Sequence, residues 1–203
     1  MYIIGITGGT GAGKSTAVKA LQTLGAGALD CDVIYHDLLS GDVEMISEIT
    51  THFGNVAIDG KIDRRKLSEI VWADPASLKE LNRITHKYVN EELKRRITSY
   101  ESQGVQAVAI DAIALIESGQ SKECDVVVGV IAPQEKRVLR IIRRDKLSRE
   151  RALSRINAQQ AESFYKDNCD YILENNYDTE AEFEERCIEF FRDLLNNKEK
   201  CNE

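Results

Sequence analysis

Gly8-Gly9-Thr10-Gly11-Ala12-Gly13-Lys14-Ser15-Thr16 stands just after the apolar run Tyr2-Ile3-Ile4-Gly5-Ile6 and just before Ala17-Val18-Lys19-Ala20-Leu21. From Gly8 to Ser15 the spacing is G-x-x-x-x-G-K-[ST]. The short β-branched run reads as a buried strand and the segment after the glycines reads as a helix, so the glycines fall where a strand turns into a helix N-terminus. That context makes the stretch a phosphate-binding loop. A polyphosphate needs several backbone N–H groups aimed at one point, and Gly8, Gly9, Gly11 and Gly13 supply the close approach and the dihedrals this requires. The first N–H groups of a helix beginning near Lys14 have no intrahelical partner, and the helix dipole adds positive charge at the same end. Lys14 is assigned to the β- and γ-phosphates as a point charge, the Ser15 hydroxyl to a Mg²⁺ bridging them, and Thr16 to the α-phosphate. Thr10 and Ala12 complete the loop. The dinucleotide pattern G-x-G-x-x-G is absent.

A chain of 203 residues is long enough for one α/β core with insertions and too short for two full-sized domains. With 42% hydrophobic and 30% charged residues the composition is that of a soluble globular protein. No apolar stretch reaches the ~18 residues that span a bilayer, and no basic segment leads into a long apolar one, so a cytoplasmic location without membrane partners is expected. Cys31, Cys124, Cys169, Cys187 and Cys201 are odd in number and show no C-x-x-C spacing, which points to reduced thiols rather than a disulfide framework or a zinc site. The net charge of −7 argues against a sequence-independent nucleic-acid binder.

Strand candidates are residues 2–7, a weak one at 27–31, then Ala107-Val108-Ala109-Ile110, residues 126–131, and Tyr171-Ile172-Leu173. Helical patterns of ten or more residues lie between them. The alternation predicts a doubly wound, parallel sheet of about five strands, with ligands beyond the strand carboxyl ends. Residues 40–103 exceed a minimal crossover and read as a helical insertion. Arg137, Arg140, Arg144, Arg151 and Arg155 recur at helical spacings of three, four or seven, so one charged face could look into the nucleotide site. A solvated helix surface is the competing reading. Phosphoryl transfer needs cations near the migrating group, and Lys14 is only one.

After the weak second strand comes Leu29-Asp30-Cys31-Asp32. In an extended stretch Asp30 and Asp32 share a face, either could serve as base, and the spacing does not choose between them; either could also cap a helix. Asp111 ends the third strand, where it could hold a Mg²⁺-bound water or cap the next segment. His86 reads as a helix-packing or capping residue, and Trp72, beside Ile70 and Val71, as domain core. Asn197-Lys198-Glu199 belongs to a polar tail and is not a guanine-reading motif.

Over nearly its whole length the chain resembles the dephospho-coenzyme A kinase family. The likeness runs through Ile6–Thr16, Asp30-Cys31-Asp32, Asp59-Gly60-Lys61-Ile62-Asp63-Arg64 with Leu67 and Val71, Ile84-Thr85-His86, and a run closed by Glu117. It continues through Arg140, Arg144-Asp145, Arg155-Ile156-Asn157-Ala158-Gln159 and Asp170-Tyr171-Ile172-Leu173-Glu174-Asn175. The chain departs from the family at Ala112-Ile113-Ala114-Leu115-Ile116, at Lys87 where proline is usual, and at Arg137 where glutamine is common. The resemblance implies a P-loop NTPase-type α/β kinase that phosphorylates the ribose 3′-hydroxyl of dephospho-coenzyme A with ATP and Mg²⁺. It implies Asp32 as the base, Lys14 and Arg140 as the other catalytic residues, and Arg144 and Asn175 as ATP contacts. Asp63, Arg64, His86 and Glu117 join Asp32 at the acceptor. The division expected is a nucleotide-binding core of residues 1–39, 104–136 and 169–203, an acceptor-binding insertion at 40–103, and an arginine-rich lid at 137–168. A monomer or small homo-oligomer is expected.

Overall fold

Strand β1, Tyr2–Thr7, occupies the middle of a five-stranded sheet in this computed structural model, which describes the backbone of residues 1–201 and side chains through Asn197. The side chains of Lys198, Glu199 and Cys201 lie outside the described residues. The other strands are β2 (Gly27–Asp30), β5 (Ala107–Asp111), β6 (Val126–Ile131) and β7 (Tyr171–Glu174), in the order β2-β5-β1-β6-β7. The β1–β5, β1–β6 and β6–β7 pairs are parallel, with Ile6 opposite Asp111 and Val128. The chain leaves β1 toward β2 on one side and later places β6 and β7 on the other. The strand order therefore reverses at β1, where a doubly wound sheet opens a crevice at its carboxyl edge. The expected fold class and all five strands are present.

The chain divides into two compact units, one of Met1–Leu29 with the residues from Tyr100 on, the other Asp30–Ser99. In the first, α1 (Lys14–Thr23) and α9 (Glu180–Cys201) bury Ala17, Ala20, Leu21, Phe183, Cys187 and Phe191 against Ile4, Ile6, Val128 and Val130. Each buried phenylalanine stabilises this layer by roughly 1.5–3 kcal/mol. The other sheet face is tight at its glycines, since a Cβ on Gly5 would lie 2.9 Å from Cys124 Sγ and one on Gly129 2.9 Å from Cys169 Sγ. Burial pushes the thiols of Cys124 and Cys187 up to about 12 and that of Cys169 to about 11. Among the described residues Cys31, Cys124, Cys169 and Cys187 are not joined in disulfides.

The amino edge of the sheet is closed by two aspartates. Asp125 accepts from Ile3 N–H at 2.7 Å, and its own N–H donates to Ile3 O. Asp170 does the same one strand over, accepting from Val127 N–H at 2.7 Å and donating to Val127 O. Each carboxylate satisfies a strand-start donor that the ladder leaves over.

The arginine-rich segment forms α6 (Gln134–Asp145), α7 (Arg149–Asn157) and α8 (Glu162–Asn168), and it clusters with the first unit. The helical periodicity of its arginines does not make one face. Lys146 takes φ 56° and ends α6, so Arg151 and Arg155 stand on a second helix. Val138, Ile141, Ala152 and Ile156 hold α6 and α7 together.

The second unit begins at Asp30 rather than at residue 40, because α2 (Cys31–Gly41) packs with α3 (Val43–Phe53). The hairpin of β3 (Ala57–Ile58) and β4 (Lys61–Ile62) turns on Asp59 and Gly60, with φ of 50° and 74°. Both positive φ values suit an Asp-Gly two-residue turn. Then come α4 (Arg64–Ala73) and α5 (Pro75–Ser102). Pro75 sits at the first helical position of α5, where Asp74 accepts from Ala76 N and Ser77 N. Glu48 on α3 accepts from Tyr88, Lys87 and Arg83 on α5. Trp72 is not core. It is 82% exposed, because α4 turns Leu67 and Val71 inward and the next position lies about 100° further round.

Candidate active site

At the end of β1 the backbone passes close to β6, then turns into α1. A Cβ on Gly8 would lie 2.1 Å from Val130 O, and Gly13, at φ 115°, forms the N-cap of α1. Ala12 N–H closes the turn on Gly9 O at 3.1 Å, and Lys14 Nζ lies over the loop, donating to Gly8 O at 3.0 Å. Lys14 and Ser15 thus stand in the first turn of a helix that follows a glycine loop, the placement the motif requires. Ser15 is exposed, whereas Thr16 is buried and its Oγ1 lies 3.5 Å from Glu180 Oε1.

The outer side of the loop is held by side chains 120 or more positions away. Asn175, 4% exposed, donates from Nδ2 to Ala12 O at 2.8 Å and accepts from Arg140 Nη2 at 2.9 Å. Arg140 also donates to Gly11 O, Ala12 O and Tyr177 O at 3.2, 3.3 and 3.2 Å. Arg137 Nε donates to Thr10 O at 2.9 Å, and its Nη2 to Gln159 Oε1 at 2.9 Å. Gln159 in turn accepts from Thr10 N–H at 2.8 Å and donates to Thr10 Oγ1 at 2.7 Å. Lys136 donates to Asn176 O and to Asp178 Oδ1, fixing the segment after β7. Burial lowers the pKa of both Arg137 and Arg140, whose hydrogen-bond acceptors are carbonyl and amide oxygens rather than carboxylates. Arg144 points elsewhere, pairing with Asp145 at 2.7 Å, and Asp145 also receives Arg155 at 2.6 Å.

Asp111 and Glu117 belong to this same unit. Asp111 ends β5 opposite Ile6, at the carboxyl edge beside the phosphate loop; Glu117 is exposed and its charge helps raise the Tyr165 phenol pKa, behind burial. The Ser15 hydroxyl and the Asp111 carboxylate are hard oxygen donors of the kind that would suit Mg²⁺. Among the described residues no cluster of three or more His, Cys, Asp or Glu could cage a metal alone. This donor set fits an ion that keeps several waters and takes much of its coordination from nucleotide phosphates.

Asp32, Asp63, Arg64 and His86 belong to the helical unit. The extended stretch ends at Asp30, whose Oδ1 accepts from Asp32 N and Val33 N at 2.8 and 3.0 Å and so caps α2. Asp30 and Asp32 therefore do not share a strand face: one carboxylate is used as a cap and the other stands exposed on the first helical turn. Asp63 caps α4 through Arg65 N and Lys66 N. Arg64, next in line, exerts a charge on Tyr35. His86 is half-buried, and desolvation lowers its pKa, so it favours the neutral form.

The contacts of Arg137, Lys136 and Gln159 with the phosphate loop and its neighbours were not legible in the sequence. The loop atoms that Arg137 and Gln159 hold lie more than a hundred residues away, and helical spacing carries no signal for that.

The family model for "Dephospho-CoA kinase" matches residues 2–181. A dephospho-CoA kinase of Dehalococcoides mccartyi is 36% identical over 178 residues, covering 87% of this chain and 89% of that protein. The one from Fusobacterium nucleatum is 38% identical over 188 residues, covering 90% and 94%. The structure of the dephospho-CoA kinase from Campylobacter jejuni superposes with a TM-score of 0.72 at 25% identity, over 97% of this chain and 98% of that one. A match through the phosphate loop, the helical unit and the arginine helices to the start of α9 leaves one assignment, and the chain belongs to the dephospho-CoA kinase family.

Proposed function

We propose that this protein transfers the γ-phosphoryl group of ATP to the ribose 3′-hydroxyl of dephospho-coenzyme A, giving coenzyme A and ADP in the last step of coenzyme A synthesis. The observation that carries this reading is the Gly8–Ser15 loop at the head of α1 in a chain matched to the family from residue 2 to 181. The loop amides and Lys14 hold the triphosphate, and the exposed Asp32 carboxylate takes the proton of the acceptor hydroxyl. A bond forms between the acceptor oxygen and the γ-phosphorus while the bond from that phosphorus to the bridging oxygen breaks, leaving with ADP. The Ser15 hydroxyl and, through a water, the Asp111 carboxylate would hold Mg²⁺, which would supply charge neutralisation for the triphosphate. Thr16 lies next to the α-phosphate.

Arg140, assisted by Arg144 once that side chain leaves Asp145, offsets charge on the transferred group; the planar fork suits phosphate oxygens and stays charged at working pH. This role asks the Arg140 side chain to exchange Gly11, Ala12, Asn175 and Tyr177 for phosphate as the lid within residues 137–168 closes over ATP, with Arg137 and Gln159 staying on Thr10. Closure also excludes water as a competing nucleophile. Asn175, freed of Arg140, then adjoins the nucleotide. Asp63, Arg64, His86 and Glu117 are assigned to the acceptor, whose pantetheine end lies with the helical unit.

The deciding experiment is coupled ADP release with ATP, Mg²⁺ and dephospho-coenzyme A, against adenosine, AMP and no-acceptor controls. ADP release that requires dephospho-coenzyme A is expected. Asp32→Asn should cut turnover by roughly 10²-fold or more while leaving ATP affinity within about twofold. Near-normal turnover rejects the base.

A further inference from the structure

We propose that Arg137 and Gln159 form a brace that holds the crest of the phosphate loop, Gly9 to Gly11, in its anion-binding shape. They act as positioning residues behind the loop rather than as contacts of the transferred group. The inference rests on the nucleotide occupying the Gly8–Thr16 loop.

Three observations carry it. The first is that one side-chain amide closes two of the three polar groups of Thr10: Gln159 Oε1 receives Thr10 N–H while its Nε2 reaches Thr10 Oγ1. The second is that Arg137 ties the two together, placing Nε on Thr10 O and Nη2 on the same Gln159 oxygen. That oxygen accepts two donors, which fixes the amide orientation. The third is that the loop is shaped to admit the guanidinium. A Cβ on Gly9 would stand 2.2 Å from Arg137 Nη2 and 2.7 Å from its Cζ, and one on Gly11 2.9 Å from Arg137 O.

The chemistry rests on the peptide plane. In a trans peptide the carbonyl and the N–H point in opposite directions, so Thr10 O turned to Arg137 leaves Gly11 N–H directed away from the guanidinium. A cation on the carbonyl polarises the whole peptide and strengthens what the N–H can do for an anion. The positive charge of Arg137 reaches the nucleotide through that peptide, not by contact. Thr10 N–H is meanwhile committed to Gln159, so the crest has one orientation instead of several.

A brace behind the loop serves di- and triphosphates alike, whereas an arginine on the γ-phosphate serves only the triphosphate. The test is therefore calorimetric titration of ADP and of a nonhydrolysable ATP analogue, without acceptor, on the full chain carrying Arg137→Met, Gln159→Leu or both. Each single change should weaken both nucleotides by the same factor, about tenfold. The double variant should be little worse than either single, because both act through Thr10. In the kinase assay KM for ATP should rise by that factor while kcat falls less than about twofold. Unchanged ADP affinity with a loss confined to the ATP analogue or to kcat overturns the brace, as do additive losses or none. Should Arg137→Met or Gln159→Leu fail to fold, Gln159→Glu and Arg137→Lys decide. The carboxylate introduced by Gln159→Glu keeps an acceptor for both donors, so this variant should bind ADP within about threefold of the parent. Arg137→Lys, with one point of attachment, should fall between. Tenfold loss in Gln159→Glu, or full affinity in Arg137→Lys, overturns the brace. Failure of the acceptor assignment would show only in ADP release; failure of the unaltered chain to bind ADP would overturn both readings.

Discussion

Two aspartates two positions apart have different fates because a helix starts between them. Asp30 carries two backbone N–H groups of α2, and Asp32 stands on the turn it caps. Asp30→Ala should lower stability by about 1 kcal/mol, read from the urea midpoint, as for other N-cap losses. Asp32→Asn should stay within about 0.5 kcal/mol of the parent in the same measurement, since its side chain is exposed. Equal losses would mean that the cap is shared. The sequence carried the ambiguity faithfully: strand spacing put both carboxylates on one face, and only the helix start at Cys31 separates them.

At the scale of elements, α5 carries a carboxylate held by two arginines. Glu92 accepts from Arg95 at 2.7 Å and from Arg96 at 2.6 Å, and Arg96 also reaches Asp37 on α2 at 3.4 Å. The Arg95 hydrogen bond leads, and with that of Arg96 it outweighs burial and holds the Glu92 carboxyl down at about 2. Its unfolded pKa lies near the ordinary 4.5, so the stabilisation is fully present above about pH 4.5 and is lost as pH falls toward 2. The parent should therefore exceed Glu92→Gln in urea stability at pH 6, with the gap closing by about pH 2; a gap independent of pH would remove Glu92 from acid unfolding. Elements were legible where local pattern decides them, as at β1, α1 and β6, whose periodicity and flanks agree. The β3–β4 hairpin is barely legible although Asp59-Gly60 between Ala57-Ile58 and Lys61-Ile62 signals it, because two-residue strands leave almost no alternation to read. The break at Lys146 was invisible because a lysine is not a helix breaker, and the arginine spacing runs through it unchanged.

Across the whole molecule the sheet has one edge sealed and one edge working. Asp125 and Asp170 close the amino edge, while the phosphate loop, Asp111 and Asn175 gather at the carboxyl edge. The class of fold and the identity of the loop could be read from one short stretch because strand, glycines and helix are contiguous. The side chains that shape that loop from behind could not, since they arrive by tertiary packing from α6, the α7–α8 connection and the turn after β7. No helix among the described residues is long and apolar enough to cross a membrane. The cysteines have a consequence of their own. Coenzyme A ends in a sulfhydryl, and its symmetrical disulfide forms a mixed disulfide when a protein thiolate attacks one sulfur and releases the other as coenzyme A thiolate. With thiols at about 11 to 12, Cys124, Cys169 and Cys187 hold less than about one part in a thousand as the attacking thiolate at neutral pH. Incubation with the symmetrical disulfide of coenzyme A, followed by peptide mass mapping, should find these three sulfurs unmodified; an adduct on any of them would show that the sheet opens to its own product.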